Sequence, residues 1–109
     1  MYYVYMLRCR DDSLYTGYTP DLKARMEEHF SGGQKASKYV RSRGAKELAA
    51  FWVTEEKSDA LKLEYRIKQL KKDRKESLVK DPGRLEEFLG DVLDCSAYVC
   101  LKDPSICSG

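Results

Sequence analysis

Apolar and polar positions alternate with period two over Tyr2–Cys9, and a second β-forming run follows at Leu14–Thr19. This pattern predicts two strands joined by a polar turn at Arg10–Ser13, a β-hairpin. The pattern then lengthens to the helical period. Thr19 is the expected N-cap and Pro20 the expected first residue of a helix running to about Phe30. Leu22, Met26 and Phe30 make its apolar stripe, and Gly32-Gly33 ends it. Lys35–Arg43 reads as a short basic helix or ordered loop anchored by Tyr39 and Val40. Leu48–Val53 is an unbroken apolar run of strand length, which predicts a central strand buried on both faces.

Ser58 is the expected cap of a second long helix, Asp59 to about Lys72. At about 100° per residue, Leu61, Leu63, Ile67 and Leu70 share one arc, and Glu64 falls inside it. A carboxylate there is costly unless it is paired or holds a cation. An ion pair to Arg25 or to a lysine is the structural alternative. A short helix is expected after Asp73, and a last one from Asp81-Pro82, striped by Leu85, Phe88, Leu89 and Val92. The segment from Cys95 to Gly109 has no clear period and is expected to be loose.

The expected fold is therefore α/β of the α+β kind. A small three-stranded antiparallel sheet is flanked by helices in the order β-β-α-(α)-β-α-α. The chain of 109 residues suits one domain. Residues 1–80 are expected to form its main body, 81–94 a bracing helix and 95–109 a tail.

Composition narrows the function. No apolar run approaches the ~18–20 residues needed to span a bilayer, and no secretory leader pattern opens the chain. A cytoplasmic address is expected, with no membrane partner. The net charge of +2 hides an asymmetry: residues 20–80 hold 16 basic against 10 acidic side chains, and residues 81–109 hold 2 against 6. Lys35, Lys38, Arg41, Arg43 and Lys46 form a stretch with no acid among them. Such a stretch suits a phosphate backbone, or is simply a solvated face. Cys9, Cys95, Cys100 and Cys107 have no zinc-ligand spacing and read as thiols. Phenols on a hairpin, Arg25 and His29 one turn apart, and Glu64 together suit metal-assisted phosphodiester hydrolysis.

Those same residues carry a resemblance. Tyr3-Val4-Tyr5 and Tyr15-Thr16-Gly17 resemble the two halves of the GIY-YIG motif. Arg25, His29 and Glu64 match the family's helix-borne arginine, its tyrosine-or-histidine position and its single metal-binding glutamate in order and spacing. The resemblance covers about residues 1–80 and is nearest to small stand-alone bacterial members. Tyr3 replaces the name-giving glycine, Thr16 replaces isoleucine, and Tyr18 stands where several members carry a lysine. Lys23 or Lys68 could supply that missing charge.

The resemblance implies a DNA endonuclease, structure-specific for branched or damaged DNA and serving DNA repair. Glu64 would hold one Mg²⁺ (or Mn²⁺), with no small-molecule cofactor. Arg25 would bind the scissile phosphate. Tyr15 would be the general base, although a phenol's ordinary pKa of about 10 then needs a nearby cation. Tyr5 would orient the water or share the proton. His29 would bond a phosphate oxygen or serve as the base instead. Lys35, Lys38, Arg41, Arg43, Lys46 and Lys68 would bind DNA, and a protein partner could supply specificity. Two other readings stand beside it: a nucleic-acid-binding module without turnover, and an interaction domain working through its acidic C-terminal helix.

The dyad sets one geometric condition. A two-residue Asp11-Asp12 loop would point Tyr5 and Tyr15 to opposite sheet faces. A three-residue loop or a bulge near Asp11–Ser13 is therefore expected.

Overall fold

The computed structural model describes residues 1–101; residues 102–109, including Cys107, lie outside it. Strand β1 (Tyr2–Cys9) pairs antiparallel with β2 (Leu14–Thr19) on one side and with β3 (Ala45–Thr54) on the other. This is the expected three-stranded antiparallel sheet. A short strand β4 (Val99–Leu101) extends it on the far side of β3, giving the order β2-β1-β3-β4. The segment from Cys95, expected to be loose, thus begins as a 3₁₀ turn (Cys95–Ala97) and this edge strand.

Tyr5 pairs with Gly17 and Leu7 with Tyr15, so Tyr5 and Tyr15 share a face. The device is the expected three-residue loop. The Asp12 amide donates to the Cys9 carbonyl at 2.9 Å, and Asp12 takes a left-handed φ of 72°. Aspartate tolerates that conformation better than most residues.

Alternation along β1 divides the core into two. Val4 and Met6 face α3 (Lys57–Gln69), α4 (Lys72–Lys80) and α5 (Leu85–Leu89), where they pack with Ala50, Trp52, Leu63 and Leu78. Trp52 donates its indole N–H to the Pro82 carbonyl at 3.0 Å, which satisfies its one polar atom. Tyr5, Leu7 and Cys9 face α1 (Leu22–Ser31) and α2 (Lys38–Arg43), and pack with Leu22, Met26, Val40 and Phe51. β3 is buried on both faces, as its unbroken apolar run requires. No described helix is long and apolar enough to cross a membrane.

The helix ends differ from expectation. α1 starts at Leu22 because the Asp21 carboxylate, not Thr19, accepts from the Ala24 amide at 3.1 Å. α3 starts at Lys57, with Ser58 inside its first turn, and ends at Gln69 because the chain extends at Leu70 before α4. The last expected helix is a 3₁₀ turn (Pro82–Arg84) followed by the short α5, so Val92 lies beyond it and exposed.

Arg8 and Glu76 form a tie that no local pattern announces. Arg8 Nη1 and Nη2 donate to the two carboxylate oxygens of Glu76, each at 2.5 Å, joining β1 to α4. Arg8 is 12% exposed and Glu76 32%, between the surface and buried cases. Glu76→Gln should therefore cost about 1–2 kcal/mol, read from urea unfolding at pH 7. A change within experimental error would mean the fork is not held in solution.

Candidate active site

The site is built where the hairpin meets α1 and α2. Tyr5 crosses over Gly17, its partner on β2. A Cβ on Gly17 would lie 2.6 Å from Tyr5 Oη and 3.1 Å from Tyr15 Cε2, so only glycine leaves room for the phenol. Tyr15, two residues earlier on the same face, packs its ring 6.3 Å from that of Tyr5. α1 lays His29 over both, with ring centroids 5.7 Å from Tyr5 and 5.6 Å from Tyr15. His29 is 1% exposed, whereas Phe30, the expected third member of the stripe, is 47% exposed.

His29 earns its buried place through a partner, since its Nε2 lies 2.9 Å from Tyr5 Oη. Burial, then the charge of Arg25, pushes its pKa down from 6.5 to about 4, so the ring is neutral at pH 7. Nδ1 is buried without a protein partner. In either tautomer one polar hydrogen of the pair has no protein acceptor: with the ring proton on Nε2 it is the Tyr5 O–H, and with the proton on Nδ1 it is the Nδ1–H. Burial raises the Tyr5 phenol to about 12, with the neighbouring Arg25 pulling against it. The charges of Tyr15 and Glu64 push in the same direction as burial.

A pH dependence of stability follows. His29 has a depressed pKa in the fold, so its contribution is complete above pH 6.5 and is lost as pH falls towards about 4. The expected slope from this one group is at most about 1.4 kcal/mol per pH unit. Urea unfolding at pH 7, 6, 5 and 4 should show a shallower decline in His29→Gln than in wild type. Parallel curves would remove His29 as the titrating group.

Arg25 sits one turn before His29 on α1. Its Nη1 donates to the Lys35 carbonyl at 2.6 Å and to Glu28 Oε1 at 3.1 Å. This ties the loop after α1 to the helix and holds the guanidinium beside Tyr5.

Glu64 comes from α3, on the other side of the sheet. It is not within the buried arc: Ala60, Leu63 and Ile67 are buried, but Leu61 is 41% exposed. That moves the centre of the buried face away from Glu64, whose side chain is 19% exposed at its margin. Its partner is Lys68 Nζ at 3.6 Å, not Arg25. Lys68, expected on DNA, is thus turned towards the carboxylate.

Among the described residues no group of three or more His, Cys, Asp or Glu side chains converges to hold a metal. A single carboxylate at a half-open margin, loosely paired, still fits a hard cation that keeps several waters and shares ligands with a substrate phosphate. It does not fit an all-protein cage.

The basic stretch is not uniform. Lys35, Lys38, Arg41 and Lys46 are exposed and pair with no described acid. Arg43 differs: its guanidinium lies 3.8 Å above the Tyr39 ring and its Nε 3.0 Å from Asp11 Oδ2. Tyr39 in turn packs 5.7 Å from Tyr15. Sequence reasoning treats Tyr39 only as an anchor of α2; its position between basic residues is the one signal of a wider role. Lys23 is exposed on α1.

Comparison with known proteins gives the family of the chain. Residues 1–77 match the GIY-YIG catalytic domain. The chain is 45% identical over 82 residues to the UPF0213 protein BH0048 of Halalkalibacterium halodurans, covering 75% of this chain and 85% of that one. It is 49% identical over 78 residues to the UPF0213 protein OB0043 of Oceanobacillus iheyensis, covering 72% and 88%. The solution NMR structure of BH0048 aligns with 42% identity and a TM-score of 0.49, covering 84% of this chain and 97% of that one. Nucleases built on this domain generally use a divalent metal. The chain belongs to the GIY-YIG family.

Proposed function

We propose that the protein is a cytoplasmic, metal-dependent endonuclease that hydrolyses phosphodiester bonds in branched or damaged DNA. One observation carries the reading. Tyr5, Tyr15 and His29 meet around Gly17, with Arg25 one helical turn from His29 and Glu64 at the open margin of α3. Packing alone does not call for a neutral histidine bonded to a buried phenol beside an arginine.

Each residue has a role in this reading. Glu64 holds one Mg²⁺ or Mn²⁺, which when bound neutralises charge developing on the phosphate oxygens. Arg25 is always cationic and presents its remaining N–H donors to the scissile phosphate. Tyr15 is the general base. Of the two motif tyrosines, Tyr5 is closed off from water at 1% exposure, whereas Tyr15 is half-buried. A base must reach the proton it takes, so access favours Tyr15. His29 is buried too deeply to meet water directly, which makes it the weaker candidate for the base. Tyr5 and His29 instead hold each other and fix the ring of Tyr15 between them. Lys35, Lys38, Arg41 and Lys46 supply backbone contacts, and a protein partner adds specificity.

The second reading is a DNA-binding module without turnover. Lys68 favours it, because its ammonium lies where a cation on Glu64 would compete for the carboxylate. The two readings separate in one experiment. Labelled duplex, flap, junction and single-stranded DNA are incubated with and without Mg²⁺ or Mn²⁺, with Tyr15→Phe as control. The nuclease reading expects metal-dependent cleavage that Tyr15→Phe removes. Salt-sensitive binding with no cleavage of any substrate would establish the module instead.

A further inference from the structure

We propose that Arg43 is a positioning residue for Tyr15, acting through the ring of Tyr39 and set in place by Asp11. The inference rests on the reading of Tyr15 as general base. Four contacts form one chain. Asp11 Oδ2 in the hairpin loop lies 3.0 Å from Arg43 Nε. The Arg43 guanidinium carbon sits over the Tyr39 ring, 3.8 Å from its centroid. That ring is 5.7 Å from Tyr15 at an interplanar angle of 34°. Tyr15 then meets His29 edge-on at 5.6 Å.

The parts have physical reasons to depend on one another. α2 has six residues, too few to hold a helix without outside support. Its buried anchor is Val40, on the core side. At its end the Arg10 amide donates to the Gly44 carbonyl at 2.9 Å, which joins α2 to the hairpin loop. Gly44 has a φ of 80°, and a Cβ there would lie 3.0 Å from Arg10 Cδ, so the two segments meet closely. Arg43 is the side chain that carries this junction across to Tyr39. It alone in the basic stretch has its charge met by a described acid, so its work differs from that of Lys38, Arg41 and Lys46. An arginine is required, since its planar group can stack on a ring and donate in-plane to a carboxylate at once.

Steady-state cleavage of a DNA substrate by wild type, Arg43→Ala, Arg43→Lys and Asp11→Asn tests this. Arg43→Ala should lower kcat about tenfold with KM changed less than about twofold, the mark of lost alignment rather than lost binding. Arg43→Lys should resemble Arg43→Ala, because it keeps charge and loses the plane. Asp11→Asn should lower kcat less, and should add nothing in the Arg43→Ala background. A second readout does not need turnover: in protein labelled at tyrosine ¹³Cζ, the Tyr15 signal, assigned with Tyr15→Phe, should shift in Arg43→Ala. Full kcat in Arg43→Lys, a rise in KM alone, or an unmoved Tyr15 signal would each overturn the proposal. Should wild type cut no substrate, the base reading fails, and the Tyr15 signal still decides whether Arg43 positions the ring.

Discussion

Glu64→Ala is expected to lower metal-dependent DNA cleavage by about a thousandfold or more, while fold and DNA binding survive. The reasoning separates three quantities that one substitution touches. Stability should change little. Glu64 sits at the margin of the buried face of α3, and its partner Lys68 is 52% exposed, so the pair contributes at most about 1 kcal/mol. Binding should hold or tighten, because the substitution removes a negative charge near the path of a polyanion. Chemistry should collapse. Among the described residues no cluster of acids or histidines could replace the Glu64 carboxylate. A cation at a phosphate contributes several kcal/mol to the transition state, and about 4 kcal/mol corresponds to a thousandfold in rate. Glu64→Gln should behave the same way, as it keeps the shape and loses the charge. Lys68→Ala should move in the opposite direction at low metal, because it frees the carboxylate from its competitor. Cleavage rates across a Mg²⁺ titration, with circular dichroism and DNA affinity measured on the same samples, read all three. Cleavage by Glu64→Ala within tenfold of wild type would remove Glu64 from the mechanism.

Glu64 also illustrates what the sequence can and cannot tell. Periodicity singles it out only if Leu61 counts among the buried side chains. Leu61 is exposed, and Ala60, with a smaller side chain, takes the buried place. Hydrophobicity ranks leucine above alanine, but α3 is turned so that Ala60, with Leu63 and Ile67, faces the core and Leu61 faces outward. The same ranking selects Phe30 over His29 in α1. Burial there is decided by a partner: His29 finds the Tyr5 hydroxyl and Phe30 finds nothing above it. The hairpin was more legible, because the strand period is two and one parity condition fixes which phenols share a face. That condition excludes a regular two-residue loop and leaves a three-residue loop or a bulge, and the chain takes the three-residue loop. Arg8 and Glu76 are 68 positions apart, and β4 pairs through only three residues, so neither leaves a local trace. The link from Asp11 through Arg43 to Tyr39 is likewise made of residues with ordinary local roles. Tertiary contact alone joins them.

Gly17→Ala should disable the site by shape alone. The glycine is not there for its backbone freedom, since its φ lies outside the left-handed region. Alanine could adopt the same conformation in a strand. The difficulty is the methyl group, which would lie 2.6 Å from Tyr5 Oη and 2.8 Å from Tyr5 Cζ. Tyr5 cannot swing aside as an exposed side chain would, because it is 1% exposed and bonded to His29. It must tilt within a packed core, which costs about 1–3 kcal/mol. Losing the hydrogen bond to His29 adds about 1 kcal/mol. The ring of Tyr15 is also in the path, with Cε2 at 3.1 Å from the added carbon, so both phenols shift together. A displacement near 1 Å at reacting groups costs about a hundredfold in rate. Gly17→Ala should therefore lose about a hundredfold in kcat, and should unfold at lower urea than wild type. Its DNA affinity should be unchanged, because the basic stretch lies on α2 and the start of β3. The stability loss has a specific signature. In a Tyr5→Val background the nearer ring is gone and only the Tyr15 edge at 3.1 Å remains, so adding Gly17→Ala should cost much less than in wild type. An equal penalty in both backgrounds would place the clash elsewhere. Full activity in Gly17→Ala would mean that Tyr5 does not cross this glycine in solution.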